Sequence, residues 1–255
     1  TAIAVGIALQ EGYINSVNDP IDIYLHEELA GHQDKKDITI EQLLTMRSGI
    51  YFDNDKETDI YRKHIAKSSV EYVLGRDLTW DPGTHFQYND GAPQLVSAII
   101  QNSTGMTLEE YTDLKFFSKI GLKEYDWKLY SDGITLGAFG LMMSPRELAK
   151  IAQCVCDSGR WNNQQIVPKD WIDQMLALQV TDVIDNNEIG FGYYWWLNKS
   201  KGFVFMWGHG GQYAITYPEK GLVIVITALE QLSGDFTFPL DDIISIADRI
   251  QNISN

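Results

Sequence analysis

Two cysteines in 255 residues exclude a disulfide-stapled scaffold. Cys154 and Cys156 stand two apart on a stretch that reads as a helix, so their side chains point to different faces and are badly placed to bridge each other. Basic residues are scarce too. Twenty Lys and Arg against 35 Asp and Glu leave a net charge of −15, and no basic cluster interrupts the acidic surface, which argues against nucleic acid or an anionic membrane as partner. No apolar run approaches the roughly 18 residues of a membrane span. A Gly-rich phosphate loop with a following Lys is absent, removing nucleotide hydrolysis. His26, Glu27 and His32 invite a metal, but the histidines are six apart rather than the four that shares a helical face, so no metal site is expected there.

With 44% hydrophobic residues the chain can bury a substantial core. Almost every position from Ala2 to Leu9 is apolar, the pattern of a helix buried on all sides, and Gly12 supplies its stop. Ile38–Met46, Ser68–Leu74, Ala92–Asn102, Thr104–Phe117, Lys169–Leu178 and Asp241–Ile253 read as further helices. So does the run to Cys156, announced by a Ser144 cap, Pro145 and Glu147. Asp53, Asn54 and Asp55 read as a loop, and Trp161–Ile166 as a hairpin-like turn. The last third is β-rich: Phe191–Leu197, Phe203–Trp207, Gln212–Tyr217 and Leu222–Leu229 are strands of an antiparallel meander. The last has the composition of a central strand.

One short stretch organises the rest. In DPGTHFQYND (81–90) Pro82 and Gly83 suit a tight turn, and alternation puts Phe86 and Tyr88 on one side with Gln87 on the other. Tyr88 is thereby a phenol on a stiff loop. The segment resembles the Tyr-x-Asn element, preceded by Pro-Gly-x-x-Phe-x, of the serine β-lactamase and penicillin-binding-protein superfamily, in its class C and esterase-like branch. ITIEQLLTMRSGI (38–50), TGMTLEEY (104–111), GAFGLMMSPRELAKIAQ (137–153) and WGHGGQ (207–212) extend the resemblance along the chain in the same order.

That resemblance implies an α+β fold: an antiparallel sheet with flanking helices (1–13 and 137–255) and a mostly helical subdomain (14–136). It implies a serine hydrolase working through an acyl-enzyme on a small-molecule or peptide substrate, without a cofactor. The superfamily's Ser-x-x-Lys pair, nucleophile and base, stands at the start of its buried helix, yet no serine here has a lysine three positions later. The chain is therefore expected to be a fragment opening inside that helix and lacking the strands before it. An extracellular or cell-envelope location is implied by resemblance alone.

By the same resemblance Tyr88 relays protons, His209 with Gly210 and Gly211 forms the third motif, and the Gln212 main-chain N–H is half of the oxyanion hole. Tyr51, Phe52 and Tyr61 are candidates for the pocket wall. Two departures bear on substrate. Asp90 replaces the usual Asn, exchanging an amide for an acceptor-only carboxylate, and His-Gly-Gly replaces Lys-Thr-Gly, losing a cation and a hydroxyl that hold a substrate carboxylate. The second points to an esterase, amidase or D-amino-acid peptidase ahead of an efficient β-lactamase. A non-catalytic binding or regulatory relative is the alternative. An α/β-hydrolase is a poor third, since its Gly-x-Ser-x-Gly elbow is missing.

Overall fold

The apolar amino-terminal run folds as Ala2–Gln10 (α1), and each of its residues from Ala2 to Ala8 is buried. A helix without a polar face must be covered all round, and α1 packs among later helices of the chain. The computed structural model describes residues 1–184, 189–228 and 240–253.

Ile40–Leu44 (α2) is shorter than the 38–46 expected, because Thr39 and Gln42 close a capping box at its start. Asn54–Arg62 (α3) occupies ground expected to be loop: the Asp53 carboxylate accepts the Asp55 N–H at 3.1 Å and so starts a helix rather than a turn. Ser69–Leu74 (α4) follows its Ser68 cap. Gly91–Thr104 (α5) is the long helix after the Tyr88 loop, buried from Gly91 to Ile100. Leu108–Thr112 (α6) continues through a π turn and a 3-10 turn to Gly121.

Tyr125–Trp127 (β1) pairs with Leu141–Met143 (β2). Pro145–Cys156 (α7) begins as expected, the Ser144 hydroxyl accepting the Glu147 N–H. Its two cysteines are buried and unbridged; burial pushes their thiols up to about 12 and about 11, which leaves them inert packing groups. Arg160–Trp161 (β3) and Gln164–Gln165 (β4) form the small hairpin, and Lys169–Met175 (α8) follows.

The remaining strands, Val180–Ile184 (β5), Ile189–Phe191 (β6), Trp196–Asn198 (β7), Phe203–Gly208 (β8), Gln212–Tyr217 (β9) and Leu222–Ile226 (β10), build one antiparallel sheet in sequential order. The single strand expected over 191–197 is in fact two. Gly192 donates to the Trp195 carbonyl at 2.8 Å, and Tyr194 takes a φ of +60°, so the chain reverses between β6 and β7. Leu222–Ile226, composed like a central strand, is outermost in the described sheet, with α7 lying against it and β9; Leu229, the end of that expected strand, lies outside the described residues. Leu240–Ile253 (α9) buries Ile243, Ile244 and Ala247, and an ion pair from Lys201 to Asp248 ties it to the β7–β8 turn. Among the described residues no helix is long and apolar enough to cross a membrane.

Candidate active site

Tyr88 is held by main-chain and ring contacts that the turn sequence makes possible. Gly83 donates to the Arg47 carbonyl at 2.7 Å and Gln87 to the Met46 carbonyl at 2.9 Å, clamping the loop to the end of α2. Gln87 turns inward and accepts the Phe52 N–H at 3.1 Å. Phe86 and Tyr88 face the sheet together, their rings 5.3 and 6.2 Å from Phe191. Asn89, fully buried, donates to the Gln87 carbonyl at 2.7 Å and accepts the Ala92 N–H at 2.8 Å. This residue, unremarked in the sequence, locks the loop onto α5 as a helix cap.

Beyond the loop opens a cleft of about 550 Å³. Its floor is the amino end of α1, Thr1 to Ile3, and the opposite wall is the sheet, through Trp196, Met206, Trp207 and Gln212. The floor is fixed by a chain of hydrogen bonds. Thr1 Oγ1 donates to the Gly137 carbonyl at 2.6 Å, the Gly137 N–H to Gln94 Oε1 at 3.0 Å, Gln94 Nε2 to Ser69 Oγ at 2.9 Å, and Ser69 Oγ to Asp132 at 2.8 Å. The amino end of α1 and the Tyr88 loop are thereby referenced to one helix, α5.

The walls are aromatic. Tyr88 lies 5.2 Å from Trp196, and Trp196 lies 5.5 Å from Trp207. Tyr88 is 44% exposed, open to the cleft, yet the dense protein around it and then the Asp90 carboxylate push its phenol up to about 12. It is neutral at pH 7. Among the described lining residues Asp90 is the one charged side chain, and no Lys, Arg or His is among them. The sheet-borne aromatics had a signal in the sequence, the density of rings in FGYYWW (191–196), which reads equally well as an ordinary buried strand.

Of the residues singled out from the sequence, Tyr88, Asp90 and Gln212 meet in this cleft. His209 is exposed in the short β8–β9 hairpin, outside the lining, with Gly210 and Gly211 buried behind it at φ +79° and +86°, angles that favour glycine. Gln212 links that hairpin to the cleft, its side chain donating to the Ala228 carbonyl. Tyr51, Phe52 and Tyr61 lie elsewhere. Tyr51 packs on Trp80 at the surface; Phe52 and Tyr61 pack on each other in the core, and the Tyr61 hydroxyl donates to the Ser69 carbonyl at 2.6 Å. Burial of apolar area draws such rings inward unless something holds them out. His26 and His32 pair separately, with Asp22 and Glu71.

Asp90 accepts the Thr58 hydroxyl at 2.7 Å, and its own N–H donates to Asn54 at 2.9 Å. Burial raises its pKa, with Thr58 and then Arg62 pulling the other way. As pH climbs from the ordinary value of 3.8, the unfolded chain gives up this proton first. Stability therefore falls across the window between 3.8 and the raised folded value and stays lower above it. Asp90→Asn, whose amide oxygen can still accept from Thr58, is expected to raise Tm at pH 7. The gain should vanish as pH falls below the ordinary value. A Tm difference independent of pH would refute the assignment.

Comparison with known proteins bears on the family and the fold. The family model described as Beta-lactamase matches residues 1–239. "Protein flp" of Staphylococcus aureus (strain NCTC 8325 / PS 47) is 31% identical over 113 residues, 44% of this chain, and the matched stretch spans 22% of that protein's length. Among solved structures, a family VIII carboxylesterase superposes with a TM-score of 0.73 at 18% identity, covering 97% of this chain and 80% of that one. A D-stereospecific amidohydrolase from Streptomyces sp. gives 0.66 at 17%, covering 88% and 77%. At such identities the likeness is one of fold.

Proposed function

The chain belongs to the Beta-lactamase family, and from that premise we propose that the whole protein is a serine hydrolase acting through an acyl-enzyme on an ester or amide. One observation carries this: the amino end of α1, the Tyr88 phenol and Gln212 converge on a single cleft. The 255 residues hold no Ser-x-x-Lys, so the nucleophile is assigned to a serine held at the amino-terminal side of α1, over the cleft floor. Its oxygen attacks the acyl carbon, the Gln212 N–H steadies the oxyanion, and the leaving group departs with a proton. Water then releases the acid and restores the serine. A phenol with a pKa of about 12 cannot wait as a phenolate at neutral pH, so Tyr88 passes one proton on as it takes another. Structures bearing the names carboxylesterase and amidohydrolase share the fold, which supports ester and amide bonds as targets.

The absence of Lys, Arg and His among the described lining residues favours neutral acyl groups over the carboxylate-bearing β-lactams. The full-length protein is expected to label with a fluorophosphonate and to hydrolyse a p-nitrophenyl ester at least tenfold more efficiently than a chromogenic cephalosporin. No labelling and no turnover would sink the proposal; a reversed preference would sink its substrate half.

A further inference from the structure

Asp90 is the one acid in a cleft walled by aromatic rings, and the fold makes little use of it. It stands at the N-cap position of α5, where an aspartate ordinarily accepts a hydrogen bond from its own helix, yet it makes no such bond. Asn89 accepts the Ala92 N–H instead. One Asp90 oxygen, Oδ2, takes the Thr58 hydroxyl at 2.7 Å. The other, Oδ1, accepts no hydrogen bond from the described residues and is not among the side-chain oxygens sealed from solvent, so it is open to a ligand. Arg62, with its guanidinium 6.0 Å from the centre of the Phe139 ring, pulls on the carboxylate electrostatically but makes no ion pair with it. The Asp90 charge is felt at the Tyr88 phenol, which opens to the cleft, so carboxylate and phenol serve one space. The wall beside them is ring surface, Tyr88 5.2 Å from Trp196 and Trp196 5.5 Å from Trp207. Aromatic faces attract cations, and no Lys, Arg or His among the described lining residues competes for them. The net charge of −15 acts in the same direction at longer range.

We propose that this wall binds an organic cation: the alcohol or amine that leaves the preferred substrate carries an ammonium group, which lies on the rings of Tyr88 and Trp196 with its charge against Asp90 Oδ1. The side follows from the mechanism, since a leaving group that takes its proton from Tyr88 lies beside Tyr88 and therefore beside Asp90. The acyl group stays neutral. This rests on the acyl-enzyme hydrolase proposed above. A bound cation also restores to the carboxylate the stabilisation that burial removes.

The test compares S-acetylthiocholine with its uncharged isostere, S-(3,3-dimethylbutyl) thioacetate, on full-length wild type and on Asp90→Asn. Water cleaves each to acetate and a thiol, and thiol release gives kcat/KM, divided by the rate of that thioester in hydroxide to remove intrinsic reactivity. Wild type is expected to favour the cationic thioester by about tenfold or more, and Asp90→Asn to lower that ratio at least fivefold. Equal rates on the two thioesters, or turnover of p-nitrophenyl esters and of neither thioester, overturn the cation site while leaving the hydrolase standing. A preference that survives Asp90→Asn, or a loss of rate that is the same on both thioesters, overturns the role of Asp90. A wild type that turns over none of these esters and takes no fluorophosphonate label overturns both proposals.

Discussion

Tyr88→Phe in the full-length protein is expected to lower kcat by about 10²–10⁴-fold, the range for removing a positioned proton carrier, with Tm unchanged within about 1 °C. The two halves of this expectation have separate grounds. Phenylalanine keeps the ring and with it the contacts to Phe191 and Trp196, while the lost hydroxyl sits on a residue 44% exposed to the cleft, so little folding energy is at stake. The rate is another matter, because expulsion of a poor leaving group needs a proton that only a group at the reacting atoms can deliver. The loss should therefore depend on the leaving group. On an ethyl ester or an anilide it should approach the upper figure. A p-nitrophenyl ester of the same acid, whose phenolate departs unaided, should lose far less during acylation. Equal losses on both substrates would assign Tyr88 to binding, and rates within threefold of wild type on the ethyl ester would remove it from the mechanism.

The legibility of these features in the sequence follows from how local their causes are. Capping and turn signals act within three or four residues, and Ser144 caps where the sequence says it should, whereas the helix expected to start at Thr104 begins only after a Thr107 cap, because Thr104 still belongs to α5. Alternation in the Tyr88 loop likewise survives, since it is a property of extended backbone. What failed were inferences that depend on packing across the chain. Phe52 and Tyr61 stand in a polar stretch that invites a pocket wall, yet the space against Tyr72 and Tyr130 takes their rings into the core. Asp53 reads as loop because acidic clusters usually do, but one of its oxygens caps a helix. The β6–β7 break depends on a left-handed tyrosine, which no propensity would place there. Trp196 and Trp207 reach the cleft through the register of neighbouring strands, and Tyr194 through the reversal between β6 and β7, information that exists only after the sheet has formed.

Gly137→Ala should be severely damaging for the addition of a single methyl. A Cβ built there would stand 2.0 Å from the Pro93 carbonyl oxygen and 2.5 Å from its carbon, backbone atoms in the first turn of α5 that no side-chain rotation can clear. Relief requires the 137 segment to move off α5. That movement breaks the Gly137–Gln94 bond and shifts the carbonyl that receives Thr1. The cost is about 3 kcal/mol, at the upper end for overpacking, or a Tm lower by roughly 6–12 °C. Activity should fall further than folding alone explains, because the same segment fixes the amino end of α1 relative to Tyr88, and about an ångström of misplacement between reacting groups costs on the order of 10²-fold in rate. Assays at a temperature where the variant is fully folded separate the two effects. If kcat/KM there stays within threefold of wild type while Tm has dropped, the hydrogen-bond chain from Asp132 to Thr1 serves stability alone, and the spacing of the cleft is set by something other than α5.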